Sequence, residues 1–89
     1  MTATSLRRNP KIEEAPLQGE LMLFDPANAK FFVLNETMSY VWRACDGSVS
    51  LQEIAGRLAE DYSGVEVETA RRDVESAAAE LTSLGLLVD

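Results

Sequence analysis

Phe31-Phe32-Val33-Leu34-Asn35-Glu36-Thr37, running on through Val41-Trp42-Arg43-Ala44-Cys45-Asp46-Gly47, decides how this chain folds. Its opening is apolar and aromatic, the composition of a β-strand. Asn35 then offers a side-chain oxygen to the amides of a first helical turn. Met38, Val41, Trp42 and Cys45 follow at i, i+3, i+4, i+7 spacing, the stripe of an amphipathic helix, and Gly47 ends it.

Upstream, residues 20–24 form a strand, and Asp25-Pro26-Ala27-Asn28 has the chemistry of a type I turn, with Asp first and Pro second. Residues 29–34 are the strand after that turn. Residues 12–17 make a weaker strand that Pro16 confines to a sheet edge, with Gly19 offering the turn out of it. Such a sheet is too small to be stable unless helices cover one face. Downstream, Ser50 and Glu53 form a capping box, with Val49 and Ile54 placed as a hydrophobic staple. This second helix carries Leu51, Ile54, Ala55, Leu58 and Tyr62 on one stripe, and Ser63-Gly64 ends it. A third helix opens near Glu66 and Glu68 and directs Val67, Ala70, Val74, Ala77, Leu81 and Leu84 inward. Gly85, as a left-handed cap, returns Leu86 against Leu81. The expected fold is α+β, a three-stranded antiparallel sheet followed by three helices in a winged-helix-turn-helix-like order. Residues 1–10 show no periodicity and read as a flexible N-terminal tail, and residues 11–89 as one domain.

At 89 residues a single domain has too little interior for a large catalytic cavity, so a surface groove is the expected working part. The net charge is −7, with acids outnumbering bases throughout residues 53–80. That field repels phosphate backbones and disfavours nucleic-acid binding. No apolar run approaches a membrane span, and Asn9-Pro10-Lys11 stands where a twin-arginine signal after Arg7-Arg8 would turn apolar. The expected compartment is the cytoplasm.

With no His in the sequence, the commonest general base and neutral metal ligand are missing. The lone Cys45 sits on the inward stripe and makes neither a disulfide nor a thiolate cluster, and the scattered glycines form no phosphate-cradling loop. Glu60-Asp61 reads as a solvated helix end. The expectation is no catalytic residue, no metal and no cofactor.

Strand alternation sends Phe32 and Leu34 to one face and Phe31 and Val33 to the other, although a sheet backed by helices needs only one apolar face. Phe31 either packs under the N-terminal segment or lines a binding surface. Ala77-Ala78-Ala79 leaves shallow relief on the third helix, which suits either close helix packing or a groove for another chain.

The motifs Leu34-Asn35-Glu36-Thr37, Asp46-Gly47, Glu53-Ile54 with Leu58, and Leu84-Gly85-Leu86-Leu87, in this order, resemble the PqqD-like family over residues 12–88. That resemblance implies a non-catalytic peptide chaperone. It would bind the leader segment of a ribosomally made precursor peptide and present it to a modifying enzyme such as a radical-SAM protein, a leader peptidase or a cyclase. If the third strand lies at an edge, as in the family, the leader adds to it as another strand. The expected contacts are Lys30, Phe31, Phe32, Val33 and Leu34 on that strand and Arg71, Val74, Ala78 and Leu81 on the third helix, where Val74 and Leu81 are equally core positions and Arg71 can pair with Glu68 or Glu75. Lys30-Phe31-Phe32-Val33 replaces the Tyr-Pro-Glu-Gly-like insertion of proteins dedicated to pyrroloquinoline quinone synthesis. This points to a lasso-peptide or other modified-peptide pathway. The free edge could also pair with its own copy in a homodimer.

Two other readings compete. Ser50-Leu51 opens an acidic amphipathic helix as the phosphopantetheine serine does in acyl carriers, although Val49 stands where Asp is usual. The helix-turn-helix trace also fits a winged-helix DNA binder, against the acidity of the last two helices.

Overall fold

A computed structural model describes residues 5–18, 20–62 and 64–88. Its elements in chain order are β1 (Arg7–Arg8), β2 (Glu13–Leu17), β3 (Glu20–Asp25), β4 (Lys30–Leu34), α1 (Glu36–Ala44), α2 (Leu51–Asp61), α3 (Val67–Ser83) and β5 (Leu87–Val88). Strands β2, β3 and β4 form an antiparallel sheet in that order, so β3 is central and β4 is an edge. The winged-helix-like order of sheet then helices is therefore present. Gly19 and Ser63, read as parts of turns, lie outside the described residues.

Local signals account for most of the element ends. The Asp25 carboxylate accepts the Ala27 amide at 3.0 Å and the Asn28 side-chain amide at 2.8 Å, closing the β3–β4 hairpin. Those bonds, the one to Asn28 foremost, hold the Asp25 carboxyl below its ordinary pKa. Ala29, read as a strand residue, instead takes a left-handed loop conformation at φ 52°. Asn35 Oδ1 accepts the Met38 amide at 2.8 Å and Ser50 Oγ accepts the Glu53 amide at 3.1 Å, so both expected caps are made. At the end of α3, Gly85 has φ 78°, its amide donates to Thr82 and the Leu86 amide donates to Leu81. This is the Schellman pattern, and it buries Leu86 beside Leu81.

The helices cover one face of the sheet. Leu21, Leu23 and Leu34 point into a core shared with Val41, Trp42, Ile54, Leu58, Val74 and Leu81. Trp42 is buried, and its indole N–H donates to Glu14 Oε2 at 3.1 Å across to β2, which supplies the partner a buried donor needs. Two residues expected inward are not. Val67 is 62% exposed because it starts α3 before the helix meets its neighbours, and Leu84 is 39% exposed because the chain leaves helical geometry there.

The expectation of a tail through residue 10 needs correction for residues 5–10. Leu6 is buried in the core, and β1 pairs antiparallel with β5 through Arg7↔Val88 and Arg8↔Leu87. The Arg8 amide donates to Cys45, and the Gly47 amide donates to Leu6. The Arg8 guanidinium donates to the carbonyls of Trp42 at 3.3 Å and Arg43 at 2.7 Å, placing a cation on the negative end of α1. Asn9 ties in the other side, its amide donating to Leu86 and its side chain to Gly85. Leu6 is one apolar residue without periodic neighbours, so its burial depends on contacts far along the chain.

Cys45, the C-cap of α1, is fully buried. Burial pushes its thiol up to about 11, and the opposing pull of Arg8 is smaller. Truncating Leu6 to Ala should cost about 2 kcal/mol or more in urea unfolding, by loss of a buried leucine side chain; an inert tail would give no change. Iodoacetamide at pH 8 should label native Cys45 at least about a hundredfold more slowly than the denatured chain. The raised pKa depletes the thiolate by that factor before steric shielding is added.

Candidate functional site

Among the described residues nothing pairs with the outer edge of β4. Residues 6–9 of the leading segment lie elsewhere, against β5 and the C-terminal end of α1. Along an edge strand alternate amides and carbonyls point to solvent, so β4 carries unmatched backbone donors and acceptors.

Where β4 ends, a trough of about 300 Å³ opens between two helices. Asn35, Thr37 and Met38 from the first turn of α1 form one wall, and Asp73, Ser76, Ala77 and Glu80 from α3 form the other. Thr37 and Asp73 also border a second depression of about 150 Å³ with Glu36, Leu58, Tyr62 and Val65, so the two are adjacent. The Ala77 side chain is small enough to leave the space that a larger residue would fill. Ala77 and Ala78 are both buried in the core, and Ala79 is exposed.

The expected site residues divide into those the structure leaves accessible and those it does not. Lys30, Phe31 and Val33 are exposed on β4, Phe31 at 64% and Val33 at 57%, while Phe32 is half-buried against the core and Leu34 is buried. Phe31 does not pack under the described N-terminal residues, which lie against β5 and α1. It stacks on Phe24 across the hairpin, ring centroids 4.6 Å apart, on the sheet face that no helix covers. On α3, Val74, Ala78 and Leu81 are core residues with no surface to offer a ligand. Arg71 lies on the other flank of that helix, bordering a depression with Gln52 and Ala55 of α2. It is paired there with Glu68 at 3.2 Å and Glu75 at 3.7 Å, and the bond to Glu68 raises its pKa. Of the expected helical face, only Arg71 is therefore accessible. The accessible flank of α3 toward α1 is Asp73, Ser76 and Glu80, with the largely buried Ala77 also lining the trough, and none of these is in the expected set. The buried stripe is legible, but which of its two flanks borders the strand depends on how α1 crosses α3.

The chemistry available here is that of binding. Among the described residues no cluster of His, Cys, Asp and Glu could hold a metal ion, and no helix is long and apolar enough to cross a membrane. Among the described residues Tyr40, like Cys45, has a strongly altered titration. Partial burial, together with its 2.7 Å hydrogen bond to Asp61, pushes it up to about 12, so it stays a neutral donor. Ser50 is a poor carrier serine, its oxygen engaged as the cap of α2.

Comparison with known proteins agrees with this architecture. The solved structure of TbiB1 in complex with the TbiA(beta) leader peptide has 21% identity, covers 91% of this chain and 93% of that one, and superposes with a TM-score of 0.79. A lasso peptide synthetase B1 complexed with the leader peptide has 24% identity, covers 96% and 99%, and gives 0.82. At such identities the likeness establishes the shared fold. No curated protein matches the sequence. Residues 20–87, from the start of β3 into β5, match the model of the family described as coenzyme PQQ synthesis protein D (PqqD), and the chain belongs to that family.

Proposed function

We propose that this chain is a non-catalytic recognition protein that binds the leader segment of a ribosomally synthesised precursor peptide. The leader adds as a further strand to β4, and the complex is presented to a separate modifying enzyme, such as a radical-SAM protein or a leader peptidase. The observation that carries this reading is the open β4 edge running into the trough between α1 and α3. Strand addition supplies main-chain hydrogen bonds to almost any sequence, and the trough supplies selectivity. Membership of the PqqD family supports it, as do the leader peptides held by the two structural neighbours. So does the scarcity of catalytic groups, since the sequence has no His and the Cys45 thiol is buried and protonated.

The DNA-binding alternative meets an electrostatic obstacle. Arg71 on α3 is neutralised by Glu68 and Glu75, leaving a helix-turn-helix whose last helix is acidic. An exposed phosphate contact needs free cations.

Binding can be separated from folding by proline substitution. Consecutive amides on β4 face opposite edges, so of Phe32→Pro and Val33→Pro one removes a donor from the β3–β4 ladder and the other a donor from the free edge. The free-edge variant should keep the wild-type helical circular dichroism and lose leader affinity by about tenfold or more, because a hydrogen bond and the close approach of the strands are lost together. Arg71→Ala should bind like wild type. Unchanged affinity in both folded proline variants, or amide shifts confined to α2 on titration with the leader, would overturn strand addition.

A further inference from the structure

Two features of the β4 region are left unexplained by folding. The first is the apolar outer face: Phe31 and Val33 remain largely exposed although their inner neighbours already complete the core. The second is the charge of the trough. Asp73 and Glu80 border it and Glu36 borders the adjacent depression, and among the described residues none of the three has an ion-pair partner, whereas Glu53, Glu68 and Glu75 elsewhere on α2 and α3 are matched by arginines. Arg72 is exposed and borders neither depression. The N-terminus of α1 offsets these carboxylates with only about half a positive charge, so the trough is net anionic.

Building on the strand-addition reading, we propose that the segment recognised by this protein is two-faced. It carries β-branched or aromatic side chains at the alternate positions that lie beside Phe31 and Val33, and a lysine or arginine at an intervening position that enters the trough toward Asp73 and Glu80. The geometry follows from the pleat. A strand hydrogen-bonded to β4 sends alternate side chains to the outer face, within about 5 Å of Phe31 and Val33, and the others to the helix side. Outward apolar residues extend the patch that Phe24 and Phe31 begin, and an inward cation meets carboxylates that nothing else neutralises. An anionic inward residue is rejected by the same field, so the arrangement selects against acidic segments as well as for basic ones.

The test is selection of a displayed library of random linear peptides on the wild-type protein, on Phe31→Ser with Val33→Thr, and on Asp73→Asn with Glu80→Gln. All four positions are accessible, and circular dichroism checks that both variants fold. Peptides enriched on wild type should alternate apolar and other residues with period two and hold Lys or Arg at one intervening position. A synthetic copy should lose about three- to tenfold in affinity on each variant. Its affinity should fall with added salt on wild type and on the Phe31/Val33 variant, and the salt dependence should flatten on the Asp73/Glu80 variant. Enriched peptides that map to β4 by amide shifts but lack the alternation or the cation would overturn this inference and leave strand addition standing. Binding that maps away from β4 would overturn both.

Discussion

A sheet of three strands has two faces and two edges, and this chain has helices enough to cover one face. The rest of the architecture follows from that shortage. Leu21, Leu23 and Leu34 must be roofed, and α1, α2 and α3 supply Val41, Trp42, Ile54, Leu58, Val74 and Leu81 to do it. What cannot be roofed is left as the β4 backbone and the Phe24–Phe31 face. In a larger protein both would be hidden by further strands or helices. Here they are the surface most open to another chain.

α3 shows how one helix divides its tasks. Its buried stripe, Ala70, Val74, Ala77, Ala78 and Leu81, holds the fold together. On the flank toward α2, Arg71 lies between Glu68 and Glu75 in two exposed pairs that contribute little to stability. The flank toward α1 carries Asp73 and Glu80 without partners among the described residues, and Ala77 keeps it concave. Small side chains and unmatched charge thus fall on one side of the helix.

Features set by neighbouring residues were legible in the sequence. The Asn35 and Ser50 caps, the Asp25 side-chain bonds of the turn and the Gly85 stop each depend on contacts within a few positions, and each is present, although Glu53 turns to Arg57 and does not complete the capping box. The inside–outside alternation of β4 was legible for the same reason. Features set by distant contacts were not. Leu6 and Arg8 look like tail residues until the C-terminal end of α1 and β5 are placed beside them. Arg71 is expected beside Val74 and Ala78 on one helical face, and it lies on the flank toward α2. Which way that face points is fixed by helix crossing, to which a single helix's pattern is blind.

The pairing of β1 with β5 has a consequence for how the molecule can be held. Arg7 lies opposite Val88, so the two ends of the fold leave side by side at the C-terminal end of α1. The trough opens at the other end of that helix, about 13 Å away along its axis. A tether, a fused domain or a solid support joined at either end would therefore leash the protein by its back, with its open rim turned toward whatever it meets.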